Sequence, residues 1–246
     1  MASWSVEDMS GPDGEDWRVP VKELEARLER LSQRLARAEI SGALIQNPVD
    51  LYYYAGGRQN GALFVPAANS NASIHQNGDG ARFFVRRSVS RAEFEAGGDD
   101  APLKVEKFPS LSVFAETLSN IGLEQAPGLQ DGEIPADFAQ KFRSVLAPLG
   151  DAKDCTQLIH SQREVKSDWE ISMMREGAKI QEQMFESVEK SIKLGATELE
   201  IVAAAEEVSR RNGFGGNVQM RRFPLQCDRA VIVSGRAGGI PSFFDS

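Results

Sequence analysis

Two histidines, two cysteines and one glycine-rich loop are the features of this chain whose residue types most readily suggest catalysis, metal binding or phosphate binding. His75 lies in a polar, turn-rich stretch, and His160 stands beside Ser161 with no carboxylate or nucleophile visibly paired to it. Both therefore read as structural or exposed rather than catalytic. Cys155 and Cys227 are far apart and form no CxxC pair, which argues against a metal knuckle or a disulfide scaffold and predicts reduced thiols. Cys227-Asp228-Arg229 places one cation near a thiol; a single arginine is a weak activator, so a half-buried strand-edge cysteine is the expectation.

Gly56-Gly57-Arg58-Gln59-Asn60-Gly61 lacks the Lys-Ser/Thr of a phosphate-binding loop and does not sit between a strand and a helix, so its glycines are expected to serve loop geometry. Tyr52-Tyr53-Tyr54 is expected to pack under that loop, and Arg86-Arg87 to form a solvated strand end. No residue is assigned a catalytic, cofactor-binding or metal-ligating role from its type and spacing.

Composition narrows the classes further. The 246 residues hold 28 Lys and Arg against 36 Asp and Glu, a formal net charge of -8, which argues against a nucleic-acid backbone as partner. No apolar run approaches the roughly 20 residues that cross a bilayer, and the first ten residues lack a signal peptide's pattern, so a cytoplasmic protein with no membrane partner is expected. Residues 1–20 are rich in Ser, Gly, Asp and Glu without apolar period, and read as a loose leader that Trp4 and Trp17 could still anchor.

The elements that would position these residues are legible in the periodicity. Val21, Leu24, Leu28, Leu31, Leu35 and Ala38 recur at spacings of three and four, which predicts an amphipathic helix packed on a sheet. Strands are predicted at 43–45, 62–65, 82–85 and 103–106, and helices at 88–95, 110–120 and 135–146. This alternation gives an α/β domain over 21–154 with a mixed sheet. Beyond Cys155 the pattern changes to long helices, each opened by a capping box: Ser167 with Glu170, and Thr197 with Glu200. The first of them places Met174, Ala178, Phe185, Val188 and Ile192 on one face, and the second stops at Asn212-Gly213. Two strands are predicted to follow, at 217–221 and 230–233.

In these stretches the chain resembles the creatinase and Xaa-Pro aminopeptidase group, the pita-bread metallohydrolases. The matching residues are Gly42 to Pro48 with Leu51-Tyr52-Tyr53, Phe84 to Ser88, Arg163 to Glu170, Gly195 to Glu200, Met220 to Phe223, Val233-Ser234-Gly235 and Ile240 to Asp245. The resemblance implies a creatinase-type amino-terminal α/β domain followed, over 155–246, by the truncated start of an α+β pita-bread domain. It implies an Xaa-Pro peptidase-like hydrolase acting on a peptide or small amide, a homo-oligomer such as a dimer, and two divalent metal ions (Mn, Co or Zn) in a complete member. In the family those ions are held by two Asp, one His and two Glu in sequence that follows the region matching Phe243-Phe244-Asp245, so no metal or cofactor is expected in this chain and it is expected to be inactive alone. Peptidase members carry a substrate-contacting His where this chain has Val231, which puts proline-directed activity in doubt. By analogy, Arg58 and Asn60 would face a substrate or an interface. A non-catalytic binding module and a creatinase-type amidinohydrolase remain alternatives.

Overall fold

The computed structural model describes residues 16, 18–72, 80–215 and 232–239. Two compact units divide after Val165, later than the boundary after Asp154 read from the sequence. The reason lies in the segment 156–164, a helix whose Ile159 is fully buried in the first unit's core together with Cys155.

The first unit opens on α1 (Val21–Arg37), which buries Leu24, Leu28, Leu31 and Leu35. The stripe at spacings of three and four thus packs on the sheet. Strands β1 (Gly42–Ile45), β2 (Gly61–Pro66), β3 (Arg82–Val85), β4 (Lys104–Lys107) and β5 (Gly128–Leu129) lie in the order β4-β3-β2-β1-β5. The pairs β1/β2 and β2/β3 are antiparallel while β1/β5 and β3/β4 are parallel, so the sheet is mixed.

Alternate side chains of each strand go to opposite faces. Ile45, Leu63, Val65, Phe83 and Val85 join one core with α1, α2 (Pro48–Ala55), α3 (Val89–Ala96) and α6 (Thr156–Glu164). Leu44, Phe64, Phe84 and Leu129 join the other with α4 (Phe114–Asn120) and α5 (Ala136–Leu146). Three layers result. The second core is aromatic: Phe84 and Phe142 both meet the Phe114 ring edge-on, at centroid distances of 5.5 and 6.0 Å, an arrangement that the ring quadrupoles favour.

In the second unit, α7 (Asp168–Ser191) and α8 (Glu198–Arg211) each begin with the expected capping box, formed by Ser167 with Glu170 and by Thr197 with Glu200. Ser187 Oγ of α7 donates to the Ala204 carbonyl of α8 at 3.1 Å. Gly213, at φ 92, takes the left-handed position after α8. A short α9 (Gly235–Gly238) follows, and the Ser234 amide before it donates to Glu198 Oε1 at 2.5 Å. Met174 and Phe185 of α7 and Ile192 just after it face solvent, at 59%, 65% and 66% exposed. The strand expected at 217–221 and most of that at 230–233 lie outside the described residues; Ile232 and Val233 are described and are not in a strand.

Candidate functional site

Several polar residues buried in the first unit, Gln46, Asn47, Asp50, Gln130 and His160, gather where the parallel strands β1 and β5 end. Asn47 follows β1 and caps α2: its Oδ1 accepts the Val49 amide at 2.8 Å, and Pro48 fills the first helical position, where a missing N–H costs nothing. The helix stops at Gly56, whose φ of 73 suits glycine. A Cβ there would also stand 2.4 Å from the Glu95 carbonyl oxygen. Asp50, in the first turn of α2, is carried inward and is 1% exposed.

Gln130, just past β5 and fully buried, ties these pieces together. Its Oε1 accepts the amides of Gln46 and Asn47 at 2.8 and 3.1 Å, and its Nε2 donates to Asp50 Oδ2 at 2.7 Å. The other Asp50 oxygen accepts Arg163 Nη1, also at 2.7 Å, so the carboxylate is held by a neutral and a charged donor. A second branch runs from Asn47 Nδ2 to Glu133 Oε2 at 3.0 Å, and from Glu133 Oε1 to His160 Nε2 at 2.6 Å. Thus β1, β5, α2 and α6 are joined by side chains distant in sequence.

His160 is 5% exposed and paired with a carboxylate that its neighbours in sequence gave no sign of. A histidine oriented by a glutamate is half of a general-base arrangement, but a base needs a nucleophile within reach and access to substrate. The free thiol nearby does not supply one. Cys155 donates to the Leu129 carbonyl at 3.3 Å, and burial first, then the negative charges of Asp154 and Asp131, push its pKa far up. The neutral thiol is a poor nucleophile. Burial likewise raises the Tyr54 phenol, with the Tyr53 phenol and the Asp50 carboxylate adding to the shift. The network holds the strand ends in place and presents no reacting atom to solvent.

Among the described residues, no three His, Cys, Asp or Glu side chains converge as a metal site would require. The two-metal centre implied by the resemblance does not fit the residues described here. His75, Cys227 and Val231 lie outside them.

The glycine-rich loop is explained by close packing: a Cβ on Gly61 would stand 2.0 Å from the Phe84 carbonyl oxygen, and one on Gly57 2.3 Å from Glu95 Oε2. Arg58 and Asn60 of this loop are exposed, while Tyr53 and Tyr54 are buried in the core and Tyr52 is 43% exposed. Arg86 and Arg87 are exposed at the end of β3, as expected. The residues that the sequence did not reveal are Asp50, Gln130 and Glu133. Arg163 had been singled out only as part of a motif, not as the partner of Asp50.

Residues 27–165 match the Creatinase/Prolidase N-terminal domain family. The chain belongs to this family. Within the creatinase/prolidase group it is 22% identical over 190 residues to the Xaa-Pro dipeptidase of Pyrococcus furiosus, covering 77% of this chain and 49% of that protein. It is 26% identical over 210 residues to an uncharacterised hydrolase/peptidase of Sinorhizobium fredii, covering 80% and 53%. Among solved structures, the Xaa-Pro dipeptidase from Bacillus anthracis superposes with a TM-score of 0.62 at 22% identity, over 77% of this chain and 50% of that one. The dipeptidase PepE from Mycobacterium ulcerans gives 0.63 at 18%, over 80% and 52%. Identities this low establish the fold. The chain spans about half the length of the curated relatives it matches.

Proposed function

We propose that this chain forms the amino-terminal part of a metal-dependent Xaa-Pro peptidase-like hydrolase and that, as 246 residues, it does not hydrolyse peptides by itself. The observation that carries this reading is the family match over 27–165, combined with Xaa-Pro dipeptidases among the relatives whose lengths it half spans. The chemistry of the described residues supports the second clause. Asp50, Glu133 and His160 are committed to one another's neighbours inside the fold, and no divalent ion finds three donors among the described residues.

In this reading the first unit is a scaffold. The Gln130 and Glu133 branches fix the ends of β1 and β5, and the loops at that end of the sheet, including Arg58 and Asn60, are the part that faces a substrate or a second subunit. We further propose a cytoplasmic homo-oligomer acting on peptide or small amide substrates. Reading the coding sequence past Ser246 tests the proposal: a downstream Asp, Asp, His, Glu, Glu series is expected, and its absence would remove the metal-dependent hydrolase.

A further inference from the structure

A cleft of about 340 Å³ opens in the first unit, at the end of the sheet opposite the Gln130 network. Three connections wall it: positions 39–41 between α1 and β1, 69–71 after β2, and 122, 124 and 125 between α4 and β5. Strand pairing brings them together. Gly42 at the start of β1 lies opposite Pro66 at the end of the antiparallel β2, and β5 runs parallel beside β1. The Ser41 hydroxyl lies 2.9 and 3.0 Å from the Gln125 and Ala126 carbonyl oxygens, which ties the first wall to the third. Asn71 Nδ2 ties the second wall to the third by donating to Glu124 Oε1 at 2.8 Å. The volume falls in the range of small-molecule sites and is about ten times that of one liquid water, so a bare metal ion would not fill it.

Two helices end at this cleft, and they end in the same way. The amides of Ile40 and Glu39 donate to the Leu35 and Ala36 carbonyls, the Schellman pattern that closes α1; Leu123 with Leu118 and Gly122 with Ser119 repeat it at the end of α4. Each motif needs a left-handed residue just past the cap. Gly122, at φ 94, supplies it after α4, and Glu39, at φ 54, after α1. A glutamate is unfavourable there on two counts: its Cβ strains the left-handed backbone, and its carboxylate stands at the negative end of the α1 dipole.

The charge around the cleft is one-sided. Glu39 and Glu124 both line it, two helix ends add their partial negative charges, and no Lys or Arg is among the lining residues. Lys153 Nζ donates to the Glu39 carbonyl at 2.8 Å, so this end of α1 already attracts one of the chain's own ammonium groups. The Glu39 carboxylate itself has no partner among the described residues, and Glu124 has only the Asn71 amide. Because the Ser41 hydroxyl and one Asn71 N–H are committed to the walls, the carboxylates leave the cleft rich in acceptors, which suits a ligand with several N–H donors.

We propose that this cleft binds a small organic cation, an alkylammonium compound whose charged end is held by Glu39 and Glu124 between the ends of α1 and α4. The site is separate from the loops at the other end of the sheet, and its occupant is independent of any peptide substrate.

NMR titration of the 246-residue chain with 1,4-diaminobutane, beside 1,4-butanediol as its uncharged match, tests this. Saturable shifts are expected at the amides of Ser41, Ser70, Gly122 and Gln125 with the diamine, and none with the diol. Glu124→Gln keeps an oxygen for Asn71 and removes only the charge; it should weaken binding about threefold. Glu39→Gly should weaken binding by a similar factor without lowering the melting temperature, because glycine suits the left-handed backbone; a purely structural Glu39 would give no change in affinity. Added salt should weaken binding too. Equal shifts with the diol, shifts spread over the acidic residues of α7 instead of the cleft, or unchanged affinity in either variant would overturn the proposal. Saturation of the same amides by Ca²⁺ with no response to the diamine would assign the cleft to a metal and overturn it as well.

Discussion

Arg163→Met removes the charged partner of Asp50, a carboxylate that is 1% exposed and would keep only the Gln130 amide as donor. Breaking a fully buried ion pair from one side costs about 3 to 5 kcal/mol, because a charge is left without compensation. The Arg163 side chain is 33% exposed, so water screens its half of the pair and the expected loss falls to about 2 to 3 kcal/mol. Asp50→Asn alone strands the guanidinium and weakens the link to Gln130, for a loss of about 1.5 to 3 kcal/mol. In Asp50→Asn/Arg163→Met no charge remains to be compensated, so the double variant should lose at least about 1 kcal/mol less than the sum of the singles. All three tyrosines, Tyr52, Tyr53 and Tyr54, sit in α2 beside Asp50. Their near-ultraviolet circular dichroism during urea unfolding therefore reports on the first unit. Additive losses, or a loss under about 0.5 kcal/mol for Arg163→Met, would refute the claim that this pair joins α2 to α6.

Other substitutions probe separate parts of the account. Gly61→Ala forces a Cβ to within 2.0 Å of a β3 carbonyl oxygen, so the β2/β3 pair must shift; a loss of several kcal/mol is expected in the same urea experiment, and a neutral result would contradict the close-packing explanation of that loop. Ser167→Ala and Thr197→Ala should each cost about 1 kcal/mol through loss of a capping box, read from the thermal unfolding of the second unit. In a Cys227→Ser background, Cys155 should react with a thiol reagent only as fast as the protein opens, because it is buried and its pKa is driven up; fast native labelling would argue against this burial. The exposed Phe185 and Leu199 should bind a hydrophobic dye or drive self-association, and Phe185→Glu/Leu199→Glu should abolish whichever is seen. Equal dye response in wild type and variant would show that these side chains are not the source.

The elements that the sequence revealed are those governed by local rules. The stripe from Leu24 to Leu35 needs only the 3.6-residue period, and both capping boxes need only a spacing of three, so each is found as expected. Helix α2 escaped because Leu51-Tyr52-Tyr53-Tyr54 is apolar on consecutive positions rather than at helical spacing; the signal that could have found it was the Asn47-Pro48 start and the Gly56 stop. Strand β5 is two residues long and exists through its pairing with β1, a contact over 80 residues away in sequence. The polar network was hidden for the same reason. Asp50 and Gln130 are 80 positions apart, and Asp50 and Arg163 are 113 apart, so nothing in the spacing announces them. A polar residue inside an apolar helix, as Asp50 is, was the one local hint that a buried partner must exist.

The most direct test of the central reading measures the melting temperature of the 246-residue chain with and without Mn²⁺ or Co²⁺, alongside release of proline from an Xaa-Pro dipeptide. The account predicts no shift and no release, since no divalent ion is expected to find a centre in this chain. A metal at about 100 times its dissociation constant would add about 2.7 kcal/mol, or several degrees for a protein of this size. A shift of that order, together with metal-dependent release of proline, would contradict the account.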